Sequence, residues 1–396
     1  MVDIWPFSGT RPFNQDAKNL IAPSTDHLSI ENIEIFKKNN YWNYLKILNP
    51  VGQLKEKDSL LEAKLHFEEM KNYNVIKKDK ISHFYVYQID FHGHSQLGFL
   101  SLASINDFSK SKIKTHEKIY AQRMKERADQ MNNLKAQIGP IYVVYKQNNN
   151  IESILNSIRN TLPNYDFESF DKSNHKLWCV KDKNFHNELI KEFENHECLY
   201  IADGHHRIGA MEYLSSLKNN NLNKFMISAF PSNQCKIFDY NRVIKDLNGN
   251  SEEEFINLLS KNFKINFSHN PFKPINNKQF GMYHEKKWYC LEFKGVINTK
   301  HFIDKLDINI LNEFCLKKIL NIKDVNNDER IRFIAGCHGL EALEKKVDEN
   351  PDSVAFSIFP SSISDVMSVA DQNLTMPPKS TWFDPKPLDG LVVYEF

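Results

Sequence analysis

Strand-like and helix-like segments that follow one another without strict alternation predict an α+β fold for this chain. Two observations carry that expectation: short apolar runs of strand length bounded by turn residues, and longer amphipathic windows between them. A third is size, since 396 residues with 41% hydrophobic content can bury the cores of about two structural units. In order, Ile4-Trp5-Pro6-Phe7 and Leu20-Ile21-Ala22-Pro23 are short apolar pieces among turns. SLLEAKLHFEEMKNY predicts a helix, with Leu61, Leu65, Phe67 and Met70 as its apolar stripe. HFYVYQIDF and SQLGFLSLASI predict paired strands joined at His92-Gly93-His94. The stretch from Lys114 to Gln137 is polar and helix-prone, and Gly139-Pro140 ends it. IYVVYK then reads as a buried strand, CLYIAD as a strand running into Gly204, RIGAMEYLSSLK as a helix and KFMISAF as a further strand. From about Asn241 a second region begins with the helix EEEFINLLSKNF and the strand KKWYCLEFK, and it closes on the loop-rich tail MPPKSTWFDPKPLDGLVVYEF.

Charge sets limits on partners. Lysine plus arginine (51) nearly cancels aspartate plus glutamate (50), for a net charge of +1, and no basic arm or acidic tail stands out. The six cysteines contain no Cys-x-x-Cys pair and read as scattered reduced thiols. MVDIWPFSGTRPF lacks the apolar stretch of a signal peptide, and no run reaches the ~18 apolar residues of a membrane span. A cytoplasmic protein without a membrane partner is the expectation.

The densest chemistry lies at Asp203-Gly204-His205-His206-Arg207, between a strand and a helix. A helix N-terminus presents free N–H groups and the positive end of its dipole, which suits an anion. Gly204 permits close approach, His205, His206 and Arg207 add donors, and Asp203 is a hard oxygen ligand of the kind Mg2+ takes. An Asp N-cap accounts for Asp203-Gly204 alone but leaves the adjacent histidines and the arginine without a role. Zinc is disfavoured, because His116-Glu117, His196-Glu197 and His284-Glu285 all lack the second histidine of HExxH. Neither GxxxxGK[ST] nor GxGxxG occurs, so a phosphoryl donor must be held by another device. In the tail, Lys379, Ser380 and Thr381 form a proline-stiffened loop with a cation and two hydroxyls, and Lys386 follows; such a loop can wrap an anion. Arg123 and Arg127 are four apart on one helix face, suited equally to phosphate or to solvent. Arg11, Asp26 and His338 are weaker candidates.

Taken in order, WPFSGTRPF, IAPSTDHLS, IKTHEKIYAQRMKER, YIADGHHR, IFDYNRVIKDL, RIRFIAGCHGLEAL and MPPKSTWFDPKPLDGLVV resemble the DUF1015 group of the ParB/sulfiredoxin-like superfamily. That group includes pyrophosphate-dependent kinases of free L-serine. One piece departs from the family pattern: Ala22-Pro23-Ser24-Thr25-Asp26 stands where Ala-Pro-Pro-Tyr-Asp is common. The resemblance implies L-serine and pyrophosphate as substrates and O-phosphoserine for cysteine biosynthesis as product; Mg2+ is the cofactor expected from the oxygen ligand at Asp203. It implies a ParB-like α/β core with N-terminal and C-terminal α+β additions, divided at 1–113, 114–240 and 241–396, the last unit closing the site. By the same resemblance Glu117 is the general base, with Lys114 and His116 beside it, and Asp203, His205 and His206 complete the catalytic set. Two alternatives stay open: a kinase using ATP or ADP, and a ParB-like nucleic-acid-binding protein. The second calls for a basic helix pair that this sequence lacks.

Overall fold

The computed structural model describes residues 1–13, 17–22, 30–48, 56–217, 222–297, 299 and 301–396. Ser24, Thr25 and Asp26 lie outside the described residues. The chain forms two units: Met1–Cys235 together with Pro385–Phe396, and Lys236–Asp384. Both mix helices and strands, so the protein is of mixed α/β type.

A nine-stranded sheet organises the first unit. Its strands are β1 (Ile4–Trp5), β2 (Phe84–Phe91), β3 (His94–Ser104), β4 (Ile113–Lys114), β5 (Ile141–Tyr145), β6 (Tyr165–Glu168), β7 (Asn174–Val180), β8 (Leu199–Asp203) and β9 (Lys224–Pro231). They run in the order β4-β8-β5-β9-β3-β2-β7-β6, with β1 paired to β3. The β2–β3 hairpin turns at His92 (φ 47°) and Gly93 (φ 74°). Positive φ at both central residues is the geometry that matches strand twist, and glycine takes it without a Cβ penalty. Strands drawn from residues 84–104 and from 141–231 therefore share one hydrogen-bonded sheet. Helices at Asn149–Arg159, Lys183–Phe193 and His205–Ser216 supply Ile151, Leu155, Phe185, Leu189, Ile208 and Met211 to the core on the sheet. The chain's last segment is stitched into the same unit: Thr10 pairs with Val393, Tyr394 with Gln137, and the Ala22 N–H donates to the Asp389 carbonyl at 2.9 Å.

The helix expected around residues 59–73 forms over Glu56–Asn72, but its buried face differs from the expected stripe. Phe67 and Met70 are buried and share their face with Ala63, whereas Leu61 and Leu65 are each 55% exposed. Ala63, Phe67 and Met70 follow one another at four and three residues; Leu61 and Leu65 fall nearly opposite on the helical wheel.

In the second unit a six-stranded antiparallel sheet contains β10 (Tyr240–Ile244), β11 (Phe263–Ser268), β12 (Gln279–His284), β13 (Lys287–Phe293), β14 (Ile331–Ala335) and β15 (Val354–Ile358), in the order β11-β13-β12-β15-β10-β14. Ser251 opens the helix Glu252–Ser260 with a capping box to Glu254, and Phe255 and Leu259 of that helix pack on the sheet. No helix among the described residues is long and apolar enough to cross a membrane.

Candidate active site

Local sequence sets up the site at the end of β8. Ile201 faces Val143 of β5, but Asp203 faces Tyr142, so β8 carries one extra residue, Ala202, as a bulge. A bulge bends its strand and re-aims the residues beside it. Gly204 follows in the left-handed region (φ 97°, ψ 23°) and caps helix His205–Ser216 without a side-chain cap. The cap carries no side-chain oxygen for the first-turn N–H groups, and its carbonyl takes only that of Arg207, at 2.9 Å, so the helix end suits an anion.

Asp203 meets Lys386, whose Nζ is 3.3 Å from its Oδ1. Removal from water raises the Asp203 pKa, but Lys386, Arg207 and His205 outweigh that and bring it down to about 2. The carboxylate is thus charged at neutral pH and free of any proton to give. His205 is buried, and its Nδ1 lies 3.4 Å from Oε2 of Glu117. Burial lowers its pKa to about 4, against the opposing pull of Asp203. A neutral imidazole beside a carboxylate keeps its proton on the nitrogen that faces the acceptor. Nε2 of His205 is buried without a hydrogen-bond partner. His116 packs edge-on against His205 with ring centres 4.7 Å apart, and burial pushes its pKa down to about 3.

Glu117 sits in the loop between β4 and the helix Ala121–Leu134. The Thr115 hydroxyl donates to the Glu117 carbonyl at 2.9 Å and accepts its N–H at 3.3 Å, pinning that turn. Gly209 makes room for the same loop: a Cβ there would fall 2.9 Å from Ile119 Cγ2. Glu117 is 41% exposed, so its carboxylate reaches both His205 and solvent.

His206 is half-buried and touches Tyr120 edge-on at 5.9 Å. Desolvation lowers its pKa, and the charges of Arg123 and Arg127 lower it further, which places both arginines within electrostatic reach of His206. The Arg123 guanidinium lies 5.9 Å from the Tyr120 ring centre. Arg127 donates to Gln130 at 3.1 Å, and its own pKa is lowered by desolvation and by Arg207. The Lys114 ammonium lies 5.9 Å from the ring centre of Tyr200, its partner across the β4–β8 ladder.

Arg207 does not present an empty fork. It grips Asp389 with two parallel bonds of 3.0 and 3.1 Å, and donates to the Pro140 carbonyl at 2.9 Å. Gly139 makes this possible, because a Cβ there would lie 1.8 Å from Asp389 Oδ1 and 2.5 Å from the Arg207 guanidinium. Sequence reasoning passed over Asp389; the signal was present as Asp389-Gly390 inside the tail motif, with Gly390 in the left-handed region at φ 88°.

Behind Asp389 runs a buried chain of hydrogen bonds. The Leu388 N–H donates to the Tyr87 hydroxyl at 3.3 Å, and that hydroxyl is 2.8 Å from His175 Nδ1. On the other side His175 Nε2 is 2.5 Å from the Ser173 hydroxyl, which donates to Asp171. Ser173 spends its proton on Asp171, so it accepts from Nε2, and Nδ1 accepts from Tyr87. A second proton on His175 would leave Tyr87 with donors on both sides, and burial brings the His175 pKa down to about 4. Between its ordinary 6.5 and about 4 the unfolded chain binds the extra proton and the folded chain does not. Stability therefore falls as pH falls through that window. Denaturation midpoints should decline from pH 6.5 to 4, and less steeply in His175→Gln; parallel slopes would remove His175 as a source.

Of the tail residues, Lys386 joins Asp203, whereas Lys379, Ser380 and Thr381 belong to the second unit. There Ser380 and Thr381 are buried, and the Ser380 hydroxyl donates to the Pro377 carbonyl. Arg11 is held by Asp79 and Tyr165, and His338 is exposed. Among the described residues no group of three His, Cys, Asp or Glu side chains could hold a metal. Asp203 is thus a single hard ligand, sufficient for magnesium only when phosphoryl oxygens and water complete the shell.

These features define a mixed α/β protein with an acid–histidine site at a glycine-capped helix. The chain belongs to the DUF1015 family, described as a protein of unknown function, which it matches over residues 4–309. No curated protein matches it. Among solved structures it is similar to a free serine kinase in complex with AMP (13% identity, 74% of this chain and 92% of that one, TM-score 0.37). It is also similar to SbnI with a C-terminal truncation from Staphylococcus aureus (12% identity, 72% and 82%, TM-score 0.38). A conserved hypothetical protein from Pyrococcus furiosus matches at 11% identity over 72% and 90%, TM-score 0.34.

Proposed function

We propose that this chain transfers a phosphoryl group from pyrophosphate to the hydroxyl of free L-serine, giving O-phospho-L-serine for cysteine biosynthesis. The observation that carries the reading is the Glu117 carboxylate beside neutral His205, at a helix N-terminus open to an anion and next to the charged Asp203. β4, β8, β5 and β9 with helix His205–Ser216 are read as the ParB/sulfiredoxin-like core.

The parts divide the work as follows. First-turn N–H groups of the 205–216 helix and the imidazole of His206 bind the phosphoryl oxygens, with Arg123 and Arg127 adding positive charge. Glu117 accepts the serine hydroxyl proton as the new P–O bond forms and the bridging P–O bond of pyrophosphate breaks; phosphate leaves. His205 orients Glu117 without neutralising it, because at neutral pH the imidazole carries no charge. Magnesium, when bound, neutralises charge on the phosphoryl oxygens, and Asp203 is the residue that would hold it. Lys386 then competes with the ion for Asp203 and keeps the carboxylate in place without it.

Phosphoserine formation by the purified protein, compared with pyrophosphate, ATP and ADP as donors, tests the reading. Pyrophosphate should support the fastest turnover. A preference for ATP or ADP overturns the donor, and no phosphoserine with any of the three overturns the reaction.

A further inference from the structure

Among the described residues, the second unit contains a buried cation with no anion acting on it. Arg242 lies in β10 and is 1% exposed. Its neighbours across the ladder are Phe333 of β14 and Phe356 of β15, and its guanidinium carbon lies 5.2 Å from the Phe333 ring centre. The same strands supply Ile244, Ile331 and Phe356 to the apolar core of this unit. The fork donates to two backbone carbonyls, those of Tyr240 and, at 3.1 Å, Lys379. Nε is buried and has no hydrogen-bond partner. Among the described residues Tyr240 is the one titratable group that acts on it, and burial lowers its pKa to about 9. A buried charge ordinarily sits against an opposite one, because carbonyl dipoles replace lost hydration only in part.

The rim of this place is also cationic. Lys379 is exposed, with its Nζ 3.5 Å from the Tyr240 hydroxyl and 5.3 Å from the ring centre. Its backbone is left-handed at φ 54°, and its carbonyl receives Arg242. A lysine held in that region without glycine's freedom marks a loop conformation imposed by its surroundings.

We infer that Arg242, with Lys379 and Tyr240 at the rim, forms the floor of an oxyanion site in the second unit that takes a phosphate-type dianion. Two positive charges with an unused Nε–H call for a ligand carrying more than the single charge of a carboxylate, with several acceptor oxygens. Such an anion would approach past Lys379 and Tyr240 and give Arg242 the acceptor it lacks. The site is built by this unit's own residues, and it stands whether or not the first unit phosphorylates serine.

The test is calorimetric titration of the full chain with inorganic phosphate and with pyrophosphate, run on wild type, Arg242→Met, Arg242→Lys and Glu117→Gln. One binding equivalent present in wild type and in Glu117→Gln should be absent in Arg242→Met, and weaker by ~10-fold or more in Arg242→Lys, which keeps the charge without the fork. Should Arg242→Met fail to fold, the lysine variant decides. Absence of that equivalent in the wild type, or wild-type affinity in Arg242→Lys, overturns the site. Retention in Glu117→Gln separates this outcome from any failure of the serine reading, which is scored by phosphoserine alone.

Discussion

Glu117→Gln should lower the rate of phosphoserine formation by about two to four orders of magnitude, the usual worth of a positioned general base. The substitution keeps the shape and one hydrogen-bonding oxygen, so the turn held by Thr115 and the packing of Ile119 near Gly209 should persist. What is lost is the ability to take a proton and the negative charge that faces His205 at 3.4 Å. The loss should appear in turnover at saturating serine and donor, with half-saturating concentrations moving little. Circular dichroism and the denaturation midpoint should match wild type. Wild-type turnover in the folded variant would remove Glu117 as the base, and equal losses in turnover and in thermal stability would make it a structural residue.

A second large effect is expected at Arg207. Its side chain is 25% exposed and that of Asp389 19%, so the pair sits between a surface bridge and a buried one. Surface pairs contribute at most about 1 kcal/mol, whereas breaking a buried pair costs about 3–5 kcal/mol. Arg207→Ala should therefore cost about 2 kcal/mol in urea denaturation, because it also strands the Pro140 carbonyl. Asp389→Ala should cost a similar amount. The double variant should cost clearly less than the two together, since each single change already breaks the shared contact. Strict additivity would show that the two residues act independently. Apparent donor affinity should weaken in Arg207→Ala as well, because the helix end that receives the anion loses its tie to the 385–396 segment.

What the sequence displayed was local. The hairpin at His92-Gly93, the strand running into Gly204 and the helix after it depend on neighbours in the chain, and the structure contains all three. The amphipathic face of the 56–72 helix was harder, since its apolar positions fit more than one stripe and only packing chose Phe67 and Met70 over Leu61 and Leu65. The site divides the same way. That Asp203, His205 and Arg207 lie together follows from adjacency, but no spacing rule says that Arg207 spends its fork on Asp389 or that Asp203 meets Lys386. The first of those pairs spans 182 residues. Nor does composition reveal the Ala202 bulge, which arises from a register difference between two strands. His175 shows the remaining limit: an isolated histidine in a strand carries no mark of the four-residue proton chain it joins.

The first unit is discontinuous in sequence, closed by Pro385–Phe396 after the whole of Lys236–Asp384 has intervened. Synthesis runs in one direction, so a nascent chain presents Asp203 and Arg207 to solvent long before Lys386 and Asp389 leave the ribosome. At ~5–20 residues per second that interval lasts on the order of ten to forty seconds. During it the strand β8 and its helix have neither Lys386 nor Asp389 beside them. A message cut short within the second unit yields a protein without Lys386 and Asp389, which are the partners of Asp203 and Arg207. Pairing of Asp203 and Arg207 therefore waits on the synthesis of residues 385–396, however far the folding of the preceding residues has gone.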